Sequence, residues 1–213
     1  MPSRYRSRGE SVLTLIADTD AHLADLFDLD HATNDRLLTE HGLLPGIGVH
    51  ELVFGVPHYR VVNAASTHAH PSGSRWNGPD RGAWYAAREV GTAQAEVAFH
   101  ATVALAEVGR FEDSVTYDDY LSDVTGFLHD LRGGNAYVDC LDPNSYVASQ
   151  ALAERLLDAE SLGVVYPSVR QTRGTCVACF RPALVAGVRR GATYRFTWSG
   201  VPEPVVAVEP DFA

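Results

Sequence analysis

Residues 59–103 read YRVVNAASTHAHPSGSRWNGPDRGAWYAAREVGTAQAEVAFHATV, and the fold class turns on how this stretch is divided. Tyr59-Arg60-Val61-Val62 is a short apolar run with one charge inside it, and it reads as a strand. A Gly/Pro/Ser-rich loop then leads into Arg75-Trp76-Asn77, and Gly82 to Ala86 reads as a second strand bounded by glycine. Thr92 is placed to cap a helix running to about Glu107, with Ala95, Phe99 and Val103 along its apolar face. The expectation is strand, loop, strand, helix.

Glu96 lies one residue beside that apolar stripe, in the second turn of the helix. A carboxylate there is either half-buried or facing a cleft, and a half-buried one needs a partner. Two readings stay open. Arg60 and Arg75 could pair with it in a plain ion pair. Alternatively, the group forms a site for an anionic, sugar-bearing ligand. Guanidinium forks suit phosphate oxygens, the ring of Tyr85 offers a stacking face, and a carboxylate can grip ribose hydroxyls.

On the N-terminal side, Val12, Leu15, Ile16, Leu23, Leu26 and Phe27 fall at helical spacing over 11–29, and a second helix is expected from about Asp30 to Gly42. These helices form an extension over 1–45, expected to pack on a domain spanning 46–213. On the C-terminal side, 111–131 reads as mixed strand and loop. Asn144 or Ser145 can cap a helix through Ala159, and strands are expected at 163–166, 175–180, 193–198 and 205–208. Helices and strands are interspersed without the regular alternation of a doubly wound sheet. An α+β domain built on a central, largely antiparallel sheet is the expectation.

Composition narrows the function. With 213 residues, 46% of them hydrophobic, the chain can build one domain with a sizeable core. A net charge of −10 argues against nucleic acid as a direct partner. No apolar run has the length of a membrane span, and the arginine-containing start lacks the apolar core of a signal peptide. Three cysteines, Cys140, Cys176 and Cys179, make an odd count that fits a reducing cytoplasm. Cys176-Val-Ala-Cys179 has no second pair, so buried small side chains are favoured over zinc or redox work. His68 and His70 lack a third ligand, so no metal is expected, and His100, one turn after Glu96, reads as a supporting histidine. Gly46-Ile-Gly48 lacks the third glycine of a dinucleotide fingerprint.

The order Arg60, Arg75-Trp76-Asn77, Tyr85, Glu96, with Gly163-Val-Val-Tyr-Pro-Ser168 downstream, resembles the RES domain, a family named for an arginine, a glutamate and a serine. The resemblance covers roughly residues 55 to 185. It implies an ADP-ribosyltransferase-like fold and an enzyme that consumes NAD by phosphorolysis or hydrolysis of the nicotinamide–ribose bond, the toxin of a toxin–antitoxin pair. A protein ADP-ribosyltransferase and a non-catalytic nucleotide-binding module are the alternatives. Its expected partner is a helix-turn-helix antitoxin, with which it would form a hetero-oligomer. On this resemblance Arg60, Tyr85, Glu96 and Ser168 are the expected catalytic residues. Arg60, Arg75, Asn77, Tyr85 and Ser149 are expected to bind NAD. Ser168 is the first choice for the family's serine. Ser149, on the preceding helix, competes with it.

Overall fold

The structure is a computed structural model that describes residues 46–133 and 135–210. The helices expected over 11–29 and 30–42 lie outside the described residues. Among the described residues, seven strands form two sheets. The first has the order β1 (Trp84–Ala87), β5 (Thr175–Cys179), β4 (Gly163–Pro167), β3 (His129–Asp130), antiparallel except for the β3–β4 pair. The second is antiparallel, with β6 (Val185–Ser199) between β2 (Glu112–Val124) and β7 (Val205–Glu209). The chain is α+β, as expected, but two sheets replace the single central one.

Register assigns the faces of the first sheet. Tyr85 pairs with Ala178, Ala87 with Cys176, and Tyr166 with Cys176, so these side chains share one face. That face is covered by α3 (Val147–Asp158), whose Ala153, Leu152 and Leu156 join Trp76 and Tyr166 in one core. The opposite face presents Trp84 and Cys179 to a second core with Val62, Val185 and Val188. Cys176 and Cys179 therefore stand on opposite sides of β5. All three cysteines are free and buried.

The expected strand at Tyr59–Val62 is instead the first turn of α1 (Tyr59–Thr67). Val62, Asn63 and Ser66 are its buried positions, a helical spacing that outruns the four-residue β-like window. Asn63 is fully buried, and its amide spans back to Val53, donating to the carbonyl at 2.9 Å and accepting from the N–H at 3.0 Å. Gly82 lets this helix approach β1. Its N–H reaches Ser66 O at 2.8 Å, and a Cβ there would stand 2.1 Å from Ala65 O.

Helix α2 (Val90–Glu107) begins two residues before the expected cap at Thr92, with Glu89 as its N-cap. The Glu89 carboxylate accepts the Thr175 N–H and the Thr92 hydroxyl, each at 3.0 Å, fastening the helix start to β5. The N-cap of α3 is Tyr146, one residue after the expected Ser145. No helix among the described residues is long and apolar enough to cross a membrane.

Glu51 clamps the first loop to the sheet. Its carboxylate takes Arg81 through both oxygens, at 3.1 and 2.8 Å, and also receives Arg181. Burial raises its pKa, but the bonds from Arg81, the Gly48 N–H and Arg181 prevail and bring it from 4.5 to about 2. The sign follows from that depression. The clamp is fully present above pH 4.5 and is lost as pH falls toward about 2. Acid titration of unfolding free energy should lose on the order of 3 kcal/mol over that window. Glu51→Gln should flatten the loss, and an unflattened curve would contradict the clamp.

Candidate active site

Ser168 opens the tight turn after β4, its N–H bonded to Gly174 O at 2.9 Å. The hydroxyl oxygen accepts the N–H groups of Arg170 at 3.1 Å and Gln171 at 3.0 Å. With both acceptor sites taken, its one proton has a single destination, Glu96 Oε1 at 2.6 Å. The thiol of Cys176 meets the same oxygen at 3.7 Å. Burial, and then the Glu96 charge, push that thiol up to about 12, so it stays a protonated donor. Every hydrogen bond to Glu96 from the described residues ends on Oε1, leaving Oε2 to point elsewhere. Neither Arg60 nor Arg75 hydrogen-bonds to it.

Ser168→Ala would strip Glu96 of its shortest bond and orphan two backbone N–H groups. Unfolding free energy should fall by about 1–3 kcal/mol in a denaturant titration, and an unmoved midpoint would contradict this network.

Tyr85, across the same face of the sheet, is anchored at its hydroxyl. It accepts from Trp76 N and donates to Asn77 Oδ1, both at 2.8 Å. Burial of that hydroxyl pushes its pKa up. The residue is nevertheless 38% exposed and lines a cavity, which makes it a candidate for stacking. Arg75 lies behind the same loop, 6% exposed, its Nη1 donating to Cys140 O and Asp142 O, both at 2.9 Å. Its guanidinium sits 4.8 Å from the Tyr146 ring centroid. Nε and Nη2 make no hydrogen bond among the described residues. Burial raises Tyr166 as it raises Tyr85 and lowers His100, and the Arg75 charge is a minor lowering influence on all three.

Ser149 is fully buried and donates to Tyr146 O at 3.0 Å within its own helix. Ser168, not Ser149, meets the carboxylate. Arg60 stands apart on α1, against the Tyr59 ring. It lines a cavity of about 1260 Å³ between the sheets, together with Tyr85, Arg88, Tyr117 and Tyr194. Residues Ala93, Gln94 and Val97 of α2 line it as well, while Glu96, on the adjoining helix face, does not. Tyr85 thus lines the cavity and shares a sheet face with Cys176, which meets Glu96.

His100 is pulled down first by burial, against the raising effect of Glu96 and with Arg170, Arg75 and His70 assisting. The Arg170 guanidinium lies 3.3 Å from the Phe99 ring centroid, one turn along α2. His70 accepts from Ser72 N at Nδ1, and His68 bonds Thr67, so each imidazole serves its own loop. Among the described residues, no three His, Cys, Asp or Glu side chains gather as metal ligands. Two contributors escaped the sequence reading. Cys176 reads as an ordinary buried strand residue, and nothing in the local sequence marks Gln150, whose side chain reaches Ser72, Ser74 and Asn77.

A family model described as the RES domain matches residues 51–199, well over half of the chain. No curated protein matches the chain.

Proposed function

The chain belongs to the RES domain family, and from that membership we propose that it cleaves the nicotinamide–ribose bond of NAD as the toxin of a toxin–antitoxin pair. The observation that carries this reading is the set of Glu96. One oxygen is pinned by Ser168 and Cys176, and Oε2 makes no hydrogen bond among the described residues. When the bond breaks, nicotinamide leaves as a neutral molecule and positive charge develops on the ribose. A fixed carboxylate grips ribose hydroxyls and stabilises that oxocarbenium-like charge. The logic is that of glycoside cleavage, without a proton for the leaving group.

In this proposal the other residues have the following roles. The open ring of Tyr85 stacks on nicotinamide or its ribose, with Asn77 and Trp76 fixing its hydroxyl. Arg60 and Arg88 offer cations to the pyrophosphate from the cavity wall, and Arg75 adds a buried positive charge whose Nε and Nη2 make no hydrogen bond among the described residues. A cavity of about 1260 Å³ exceeds the roughly 300–1,000 Å³ of ordinary small-ligand pockets and has room for a dinucleotide. The two mostly antiparallel sheets would then correspond to an ADP-ribosyltransferase-like architecture. The family's association with toxin–antitoxin systems supports a helix-turn-helix antitoxin that covers this cleft in the cytoplasm, where NAD is abundant.

The acceptor is read by following label. NAD labelled in the ADP-ribose half is incubated with the protein, with and without phosphate and cell lysate. Label in free ADP-ribose marks water as acceptor, label in a phosphorylated product marks phosphate, and label on a lysate protein marks transfer. NAD that is bound but unchanged in every arm would overturn the proposal and leave a nucleotide-binding module.

A further inference from the structure

Three carbonyl oxygens converge on one side-chain nitrogen. Gln150, in the first turn of α3, places Nε2 at 3.0 Å from Ser72 O, 3.0 Å from Ser74 O and 3.3 Å from Asn77 O. An amide nitrogen carries two N–H groups, so all of its donor capacity goes to one loop. That loop is a tight reversal, with Ser74 N to Asn77 O at 2.9 Å and Asn77 N to Ser74 O at 3.4 Å, and its tip is Arg75-Trp76. Gly73 is bent around the amide. Its φ of +70° is left-handed, and a Cβ there would lie 2.2 Å from Asn77 O and 2.7 Å from Gln150 Nε2.

The consequences reach the site through two bonds already described. The N–H of Trp76 and the Oδ1 of Asn77 hold the Tyr85 hydroxyl, so wherever the loop sits, the ring follows. Arg75 leaves the same loop to reach Cys140 and Asp142. We propose that Gln150 is a positioning residue, whose amide sets the 72–77 loop and, through it, the placement of Tyr85 and Arg75 for the ligand. The kinetic consequence rests on the NAD-cleaving reading. The structural one does not.

The test uses three substitutions in the full chain. Gln150→Glu keeps the shape but points carboxylate oxygens at three carbonyls, and Gln150→Met fills similar space with no donor. Gln150→Lys supplies an ammonium with three N–H groups for the three carbonyls. Hydrogen exchange at the Ser74 and Asn77 amides should accelerate by about tenfold or more in the Glu and Met variants and remain near the parent's in the Lys variant. NAD turnover should follow the same order, with KM rising more than kcat falls. A packing role alone would favour Met over Lys, which is the opposite order. Parent-like exchange in both the Glu and Met variants overturns the proposal. Because exchange is read without NAD, an inactive parent would sink the functional reading while exchange still decides Gln150. If the Glu variant does not fold, the Met and Lys pair carries the same contrast.

Discussion

Glu96→Gln should bind NAD about as well as the parent and cleave it roughly 10²-fold more slowly, or worse. The substitution keeps the side chain's size, and an amide carbonyl can still accept the Ser168 hydroxyl now 2.6 Å from Oε1. What vanishes is the negative charge. Ground-state contacts to neutral ribose hydroxyls tolerate that loss, but a ribose acquiring positive charge does not, so kcat falls and the dissociation constant holds. Calorimetric binding together with a turnover assay separates the two. Equal turnover would remove Glu96 from the chemistry. A large rise in dissociation constant at unchanged kcat would reduce it to a binding contact.

Arg75→Met should produce the largest loss of stability among the site residues. Arg75 is 6% exposed, and its Nη1 satisfies two backbone carbonyls, Cys140 O and Asp142 O, more than sixty residues away. Methionine fills part of the volume and satisfies neither. Unfolding free energy should drop on the order of 3 kcal/mol, with NAD binding weakened as well because the buried positive charge is gone. Arg75→Lys keeps the charge but has no planar fork, so it should recover binding more than stability. Denaturant titration and NAD binding on the two variants give four numbers. A Met variant as stable as the parent would contradict the bridging role.

The same two residues show what the sequence made legible. Arg75, Tyr85 and Glu96 are singled out by residue type and order within some twenty positions of a loop, a strand and a helix, and the roles proposed for them rest on the family resemblance. Helices α2 and α3 and strands β4, β5 and β7 were similarly readable, each end falling within a few residues of its expected place. Strand β2 was obscured by two breaks in its register with β6, between Asp118 and Tyr120 and between Leu121 and Asp123, which spoil a strict alternation. The start of β6 at Val185 was hidden by Gly187 and Gly191 and the arginines between them. Tyr59–Val62 misled because two adjacent valines favour a strand over four residues, while the burial of Val62, Asn63 and Ser66 needs the longer window.

Other features are tertiary and leave no local trace. Nothing in the spacing of residues says that strands 112–124 and 185–199 form a sheet separate from 163–179. Register alone brings Cys176 beneath Glu96, and a contact spanning more than seventy residues brings Gln150 to the Ser72–Asn77 loop. Arg60 was grouped with Glu96 because both lie in one stretch of chain. Helix α1 carries it to the cavity side of Tyr85 instead.

Release of nicotinamide is the most direct test of the central claim, that the carboxylate held by Ser168 breaks the bond between nicotinamide and ribose. Proton NMR of the purified protein with NAD should show free nicotinamide growing with time in the parent and all but absent with Glu96→Gln. A parent that binds NAD and releases no nicotinamide, or a Gln variant that releases it at the parent's rate, would contradict the account.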